Sequence, residues 1–163
     1  MMERKHSMNL ANELPQKSVD DLLLNVPHHL WTEPERVHVL SHLEKLRYFK
    51  EAAVSRDVIE ASLDRIRQKI YHADEPMFQQ GEVGKYFFVV LTGQAQFFVN
   101  TPKGAKVLGV ARPGDGFGEL AFITGKPRAV GARAATHCHM LLFDEELFLR
   151  LFKGVAERKV VEP

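Results

Sequence analysis

The chain has 163 residues, 45% hydrophobic and 26% charged, with a formal net charge of +1 and a single cysteine, Cys138. That composition suits one globular domain with a lead-in, able to bury roughly two-thirds of its unfolded surface. So even a charge balance offers no basic field for DNA, RNA or an acidic membrane, and no apolar run nears the ~18 residues that a membrane span needs.

Residues 1 to 17 are polar and aperiodic and read as a loose tail. Glu3, Arg4 and Lys5 are followed by no apolar segment, so no secretory signal is read, and one cysteine suits a reducing compartment. A cytoplasmic protein is expected. Ser18-Val19-Asp20-Asp21 caps a short helix through Leu22, Leu23 and Leu24, closed by Pro27. Residues 1–30 are thus a flexible tail plus one short helix.

The main domain is expected over residues 31–160. Thr32 and Glu35 form a capping box with Pro34 in the first turn, and Leu40, Leu43 and Leu46 then recur at helical spacing. Ser55 opens a further helix with Val58, Ile59, Leu63 and Ile66 as its apolar stripe. This helical lead-in, 31–66, carries no visible chemistry. His38 and His42 lie four apart but lack a third ligand, and the adjacent His28 and His29 face apart.

From residue 67 to 143 the texture turns to strands. Runs at Lys69–His72, Met77–Gln79, Tyr86–Leu91, Gln94–Asn100, Lys106–Ala111 and Ala132–Phe143 alternate with turns rich in glycine and proline. Short strands at regular spacing predict a small barrel or jelly-roll-like sandwich, a mainly β fold with flanking α-helices. His137 and His139 would share a strand face, and with no further ligand beside them they read as a plain strand edge. A C-terminal helix over 144–160 presents Leu147, Phe148, Leu151 and Phe152.

One stretch is not explained by packing. Gly114 to Val130 reads G-D-G-F-G-E-L-A-F-I-T-G-K-P-R-A-V. Gly114, Gly116 and Gly118 allow positive φ and close approach to a ligand. Glu119-Leu120-Ala121-Phe122 can form a helical turn whose unpaired N–H groups face an anion. Arg128, beyond the Gly125-Lys126-Pro127 turn, can fold back and grip a phosphate with its planar fork. Glu119 would be repelled by that phosphate unless it accepts hydrogen bonds from a sugar hydroxyl, each contributing on the order of 1.5–3 kcal/mol. Phosphate and hydroxyl together imply a nucleotide with its phosphate held close to its ribose. Neither a G-x-x-x-x-G-K-[ST] loop nor a G-x-G-x-x-G helix start is present.

Phe117 to Ala129, F-G-E-L-A-F-I-T-G-K-P-R-A, resembles the phosphate-binding cassette of cyclic nucleotide-binding domains, F-G-E-L-A-L followed by a short variable turn and P-R-x-A. The separation of Glu119 from Arg128 is similar to that in the regulatory subunits of cAMP-dependent protein kinase. Phe78 to Gly84 resembles the family's I-F-x-Q-G-D-x-G turn, and Tyr86 to Gly93 its Y-F-I-L-x-G strand. The likeness runs from Thr32 to Lys159. It implies an eight-stranded β-roll with N-terminal helices, a short cassette helix and a C-terminal helix. It also implies a ligand: Glu119 would hold the ribose 2′-hydroxyl and Arg128 the cyclic phosphate. N–H groups around Leu120 and Ala121 would complete the cradle beside Gly118. Ala129 stands where cGMP-selective kinase sites place threonine, which favours cAMP and leaves cGMP as the alternative.

Three departures accompany the likeness. Val130-Gly131 replaces the usual Ala-Thr, Lys85 replaces an aspartate after Gly84, and no aromatic base cap is evident, with Val160 or Val161 as poor substitutes. The expectation is a non-enzymatic regulatory module, with no catalytic or metal residues and no enzyme cofactor, that signals by moving its flanking helices. Its partners would be the cyclic nucleotide and a protein partner or a missing downstream domain. The alternative is a roll that binds no ligand and serves as a scaffold for protein interaction.

Overall fold

A computed structural model describes the backbone of residues 17–161 and the side chains through Phe152. Two compact units divide between His42 and Leu43. In the first, helix α1 (Val19–Asn25) is capped by Ser18, whose hydroxyl accepts from the Asp21 amide at 3.1 Å. Trp31 closes this unit by donating its indole N–H to the carbonyls of Val26 (3.0 Å) and Leu22 (3.3 Å). The expected capping box opens α2 (Glu33–Lys45). The Thr32 amide donates to Glu35 Oε1 at 2.8 Å, and the Glu35 amide donates to Thr32 Oγ1 at 3.3 Å. Those bonds hold the exposed Glu35 carboxyl below its usual range, the backbone bond from Thr32 contributing most.

In the second unit, α3 (Arg47–Glu51) and α4 (Arg56–Ser62) precede the strands. The strands are β1 (Arg67–Tyr71), β2 (Pro76–Phe78), β3 (Phe87–Thr92), β4 (Ala95–Thr101), β5 (Gly104–Ala111), β6 (Gly116–Phe117), β7 (Gly131–Ala134) and β8 (Cys138–Phe143). Helix α5 (Leu120–Thr124) lies between β6 and β7, and α6 (Glu145–Val161) follows β8. The strands form two four-stranded antiparallel sheets, ordered β1-β8-β3-β6 and β2-β7-β4-β5. The fold is the eight-stranded roll with flanking helices that the resemblance implied, and it agrees with the small jelly-roll-like sandwich expected from the strand pattern.

Two local readings are corrected. The single run expected over Ala132–Phe143 is two strands in different sheets, because residues 135–137 form the turn that carries the chain from one to the other. His139 is not at a strand edge. Strand β8 lies between β1 and β3, so His139 is fully buried and its Nε2 lies 2.8 Å from Gln68 Oε1.

The core between the sheets gathers Tyr71, Phe78, Phe88, Phe117, Met140 and Leu142, among others. A second aromatic cluster joins roll to helices: Phe87 stands 4.7 Å from Tyr48, 4.9 Å from Phe148 and 5.5 Å from Phe152, centroid to centroid. The apolar face expected on α6 is real, with Leu147, Phe148, Leu151 and Phe152 all buried. The helix kinks at Phe152, where φ is −124°, and continues to Val161. The side chains of Val160 and Val161, considered as a base cap, lie outside the described residues.

Candidate functional site: a cavity between an arginine and a glutamate

The glycine-rich stretch is tied down from below. Gly114 accepts the Tyr48 amide at 3.2 Å and donates its own amide to Val90 at 2.8 Å. Arg47 pairs with Asp115 at 3.1 Å. At Gly116 an added Cβ would meet Phe87 Cζ at 2.5 Å and Tyr48 Cδ2 at 2.7 Å, so only glycine fits against the aromatic cluster. Gly118 has φ +95°, and a Cβ there would stand 2.8 Å from Arg128 Nη1. Here glycine is required twice, for its backbone angle and for its lack of a side chain.

Glu119 then begins the one-and-a-half turns of α5, and Gly125, at φ +69°, stops it in the left-handed conformation common at helix ends. The chain returns through Pro127 to Arg128. Its backbone is laced to the turn after β2: the Arg128 amide donates to the Glu82 carbonyl, and the Gly81 amide donates to the Arg128 carbonyl, each at 2.8 Å.

Arg128 is the most constrained charged group of the site. Only 7% of its surface is exposed. Nη1 donates to the Gly118 carbonyl at 2.7 Å and Nη2 to the Tyr86 carbonyl at 2.6 Å. The guanidinium lies 4.1 Å above the Phe78 ring, and Nε is buried with no hydrogen-bond partner among the described residues. Burial lowers the arginine's pKa, while the charges of Glu119 and Glu82 pull it back up. Both bonded partners are neutral carbonyls, so the cation carries a desolvation cost that a bound anion would offset.

Glu119, also 7% exposed, shares the cavity wall with Arg128. The cavity measures about 430 Å³, within the usual range for small-molecule sites. All six residues singled out from the sequence line it: Gly118, Glu119, Leu120, Ala121, Arg128 and Ala129. Leu120 and Ala129 are exposed and Ala121 is half-buried. Phe78, Phe97, Phe117 and Val130 add apolar surface.

Gly84 is a contributor that the sequence reading left as a plain turn residue. A Cβ there would meet Ala121 Cβ at 2.4 Å and Arg128 Cζ at 3.3 Å, so the loop touches both halves of the cassette. Phe78 and Tyr86 seat the arginine, a role that neither the strand pattern nor the resemblance assigns to them. Nothing in a linear pattern assigns a neutral carbonyl or a ring face to an arginine fifty residues away. None of the described histidines lines the cavity. His28 and His29 stand edge-on at 6.3 Å, and among the described residues no three His, Cys, Asp or Glu side chains cluster in a way that could hold a metal.

A cAMP-dependent protein kinase regulatory subunit of Eremothecium gossypii is 32% identical over 97 residues, covering 60% of this chain and 20% of the relative. The corresponding subunit of Candida albicans is 33% identical over 97 residues, covering 59% and 20%. The chain therefore spans about a fifth of the length of these curated relatives. The regulatory domain of Toxoplasma gondii PKA, solved in co-crystals with cAMP, superposes with a TM-score of 0.66 at 25% identity, covering 78% of this chain and 50% of that one. The family model described as cyclic nucleotide-binding domain matches residues 68–154, from the first strand to the kink in α6. With more than half of its residues in that match, and with the roll and the short helix after β6 in place, the chain belongs to the cyclic nucleotide-binding domain family.

Proposed function

We propose that this chain binds cAMP in the cavity between Glu119 and Arg128 and acts as a non-catalytic regulatory module spanning residues 31–160. In this reading Glu119 accepts from the ribose 2′-hydroxyl and Arg128 donates to the exocyclic phosphate oxygens. The amides of Leu120 and Ala121 complete the cradle, Gly118 permits close approach, and Ala129 faces the base. One observation carries the proposal. Among the described residues Arg128 is a buried cation bonded only to neutral carbonyls, with Nε unpartnered, on the wall of a cavity of about 430 Å³. An anion is what that arrangement needs, and Glu119 on the same wall selects an anion that also carries hydroxyls.

Signalling would run through the helices tied to the cassette. Tyr48 of α3 bonds Gly114, and Phe122 of α5 stands 5.6 Å from Phe148 of α6. Ligand must favour one helix arrangement over another for this to work. The output is proposed to be read by a protein partner.

Calorimetric titration tests the site. Arg128→Ala is expected to weaken cAMP binding by about 2–5 kcal/mol, the usual cost of breaking a buried charge pair. No heat from the parent chain at millimolar cAMP refutes the proposal. A second reading, the ligand-free scaffold, draws on the same arginine: its two terminal nitrogens are already hydrogen-bonded. Thermal unfolding separates the two, since ligand at a hundred times its dissociation constant adds about 2.7 kcal/mol to a binder and nothing to a scaffold.

A further inference from the structure

Arg128 and Phe78 also wall a second cavity, of about 360 Å³, which no residue of α5 lines. Its lining is cationic: Arg67, Lys69, Lys85 and Arg128 face a single carboxylate, Glu82. Lys69 Nζ lies 3.9 Å from Glu75, which offsets one charge. Arg67 and Lys85 enter no ion pair among the described residues. Aromatic faces hold two of the cations in place, Arg67 5.8 Å from the Tyr86 ring centroid and Lys69 4.6 Å from that of Tyr71. Four cations line one part-enclosed space with two positive charges left over, a local field that attracts an anion.

We propose that this cavity is a second anion site, taking a small phosphate monoester, and that its occupancy antagonises ligand binding at the cassette. The charge excess matches a phosphate dianion better than a carboxylate. Arg67 can grip two phosphate oxygens at once, and Lys85, on the turn before β3, supplies a point charge at the rim. The antagonism rests on the cAMP reading above. Both cavities draw on one guanidinium, so an anion on either side satisfies Arg128 and weakens its pull on the other. By linkage the effect is reciprocal.

The experiment titrates inorganic phosphate into the parent chain and into Lys85→Gln and Arg67→Gln, two exposed positions, at ionic strength held constant with chloride. Phosphorus NMR reads phosphate binding directly, and calorimetry reads cAMP affinity at each phosphate concentration. Saturable phosphate binding, weakened in both variants, is expected, together with a loss of cAMP affinity of at least about fivefold at saturation. Neither variant should show that loss. A non-saturating phosphate response overturns the site. Competition that persists in Lys85→Gln and Arg67→Gln places the phosphate in the cassette instead, and acetate acting as well as phosphate overturns the dianion. The two readings fail separately: Lys85-dependent phosphate binding without cAMP binding sinks the proposed function and the antagonism that rests on it but leaves the phosphate site standing, and cAMP binding without saturable phosphate sinks only this site.

Discussion

Arg128 is held by four different neighbours: two carbonyls, one ring face and the backbone of the loop beneath it. Gly84 is where that support is tightest. Its backbone angle is unremarkable, so the constraint is space alone, with Ala121 Cβ only 2.4 Å from where a side chain would start. Gly84→Ala should therefore push the loop off the arginine, costing about 1–3 kcal/mol in overpacking. We expect it to weaken cAMP binding at least tenfold (about 1.4 kcal/mol) while the circular dichroism of the roll is retained. Unchanged affinity would show that the loop does not position Arg128. The charged ends of the site were legible from residue chemistry, because a carboxylate among phosphate-binding glycines asks for an explanation. The supports were not, since Phe78, Gly84 and Tyr86 act through surfaces that have no signature of their own.

Helix α5 and strand β7 show how elements carry the site. A five-residue helix has little stability of its own. It persists because Glu119 and Gly125 bracket it and because Phe122 packs against Phe148 of α6. Strand β7 explains one departure from the family pattern. Gly131 lies directly across from Phe98 of β4, and a Cβ at Gly131 would meet the ring at 2.7 Å. The ring, itself covered by Arg133 at 4.8 Å, fills the volume that a threonine would need. Gly131→Thr alone should destabilise the chain by about 1–3 kcal/mol. Combined with Phe98→Ala, the loss should be smaller than the sum of the two single losses, by at least about 0.5 kcal/mol. Urea denaturation of the four proteins measures this, and strict additivity would contradict the cross-strand account. The helix starts at Ser18, Thr32 and Ser55 were readable in advance, because capping is a contact over three residues.

In the second unit as a whole, two sheets enclose one core and bury Cys138 completely. Burial, with a contribution from the charge of Glu75, pushes its thiol up to about 11. The thiolate is the reactive form, and it is scarce in the folded protein until the pH approaches that value. Below it, each unit of pH raises the thiolate fraction tenfold. Iodoacetamide should accordingly label Cys138 far more slowly in native protein than in urea at pH 8. The urea rate is the faster one because the unfolded thiol is accessible and titrates near its ordinary value. Equal rates in both states would place the thiol at the surface.

The β-rich architecture, the helix starts at Ser18, Thr32 and Ser55, and a candidate site at Gly118, Glu119 and Arg128 are legible in the chain alone. Those rest on alternation, capping and residue chemistry, all of which operate over a few neighbouring positions. Their surroundings come from the folded roll. It brought Gly84 and Phe78 beneath Arg128, buried His139 beside Gln68, put Phe98 in the space of a missing side chain, and gathered Arg67, Lys69 and Lys85 around a second cavity. Each of these depends on strands distant in sequence meeting in one sheet or loop. Pairing of that kind is set by packing over the whole roll, which no local pattern encodes.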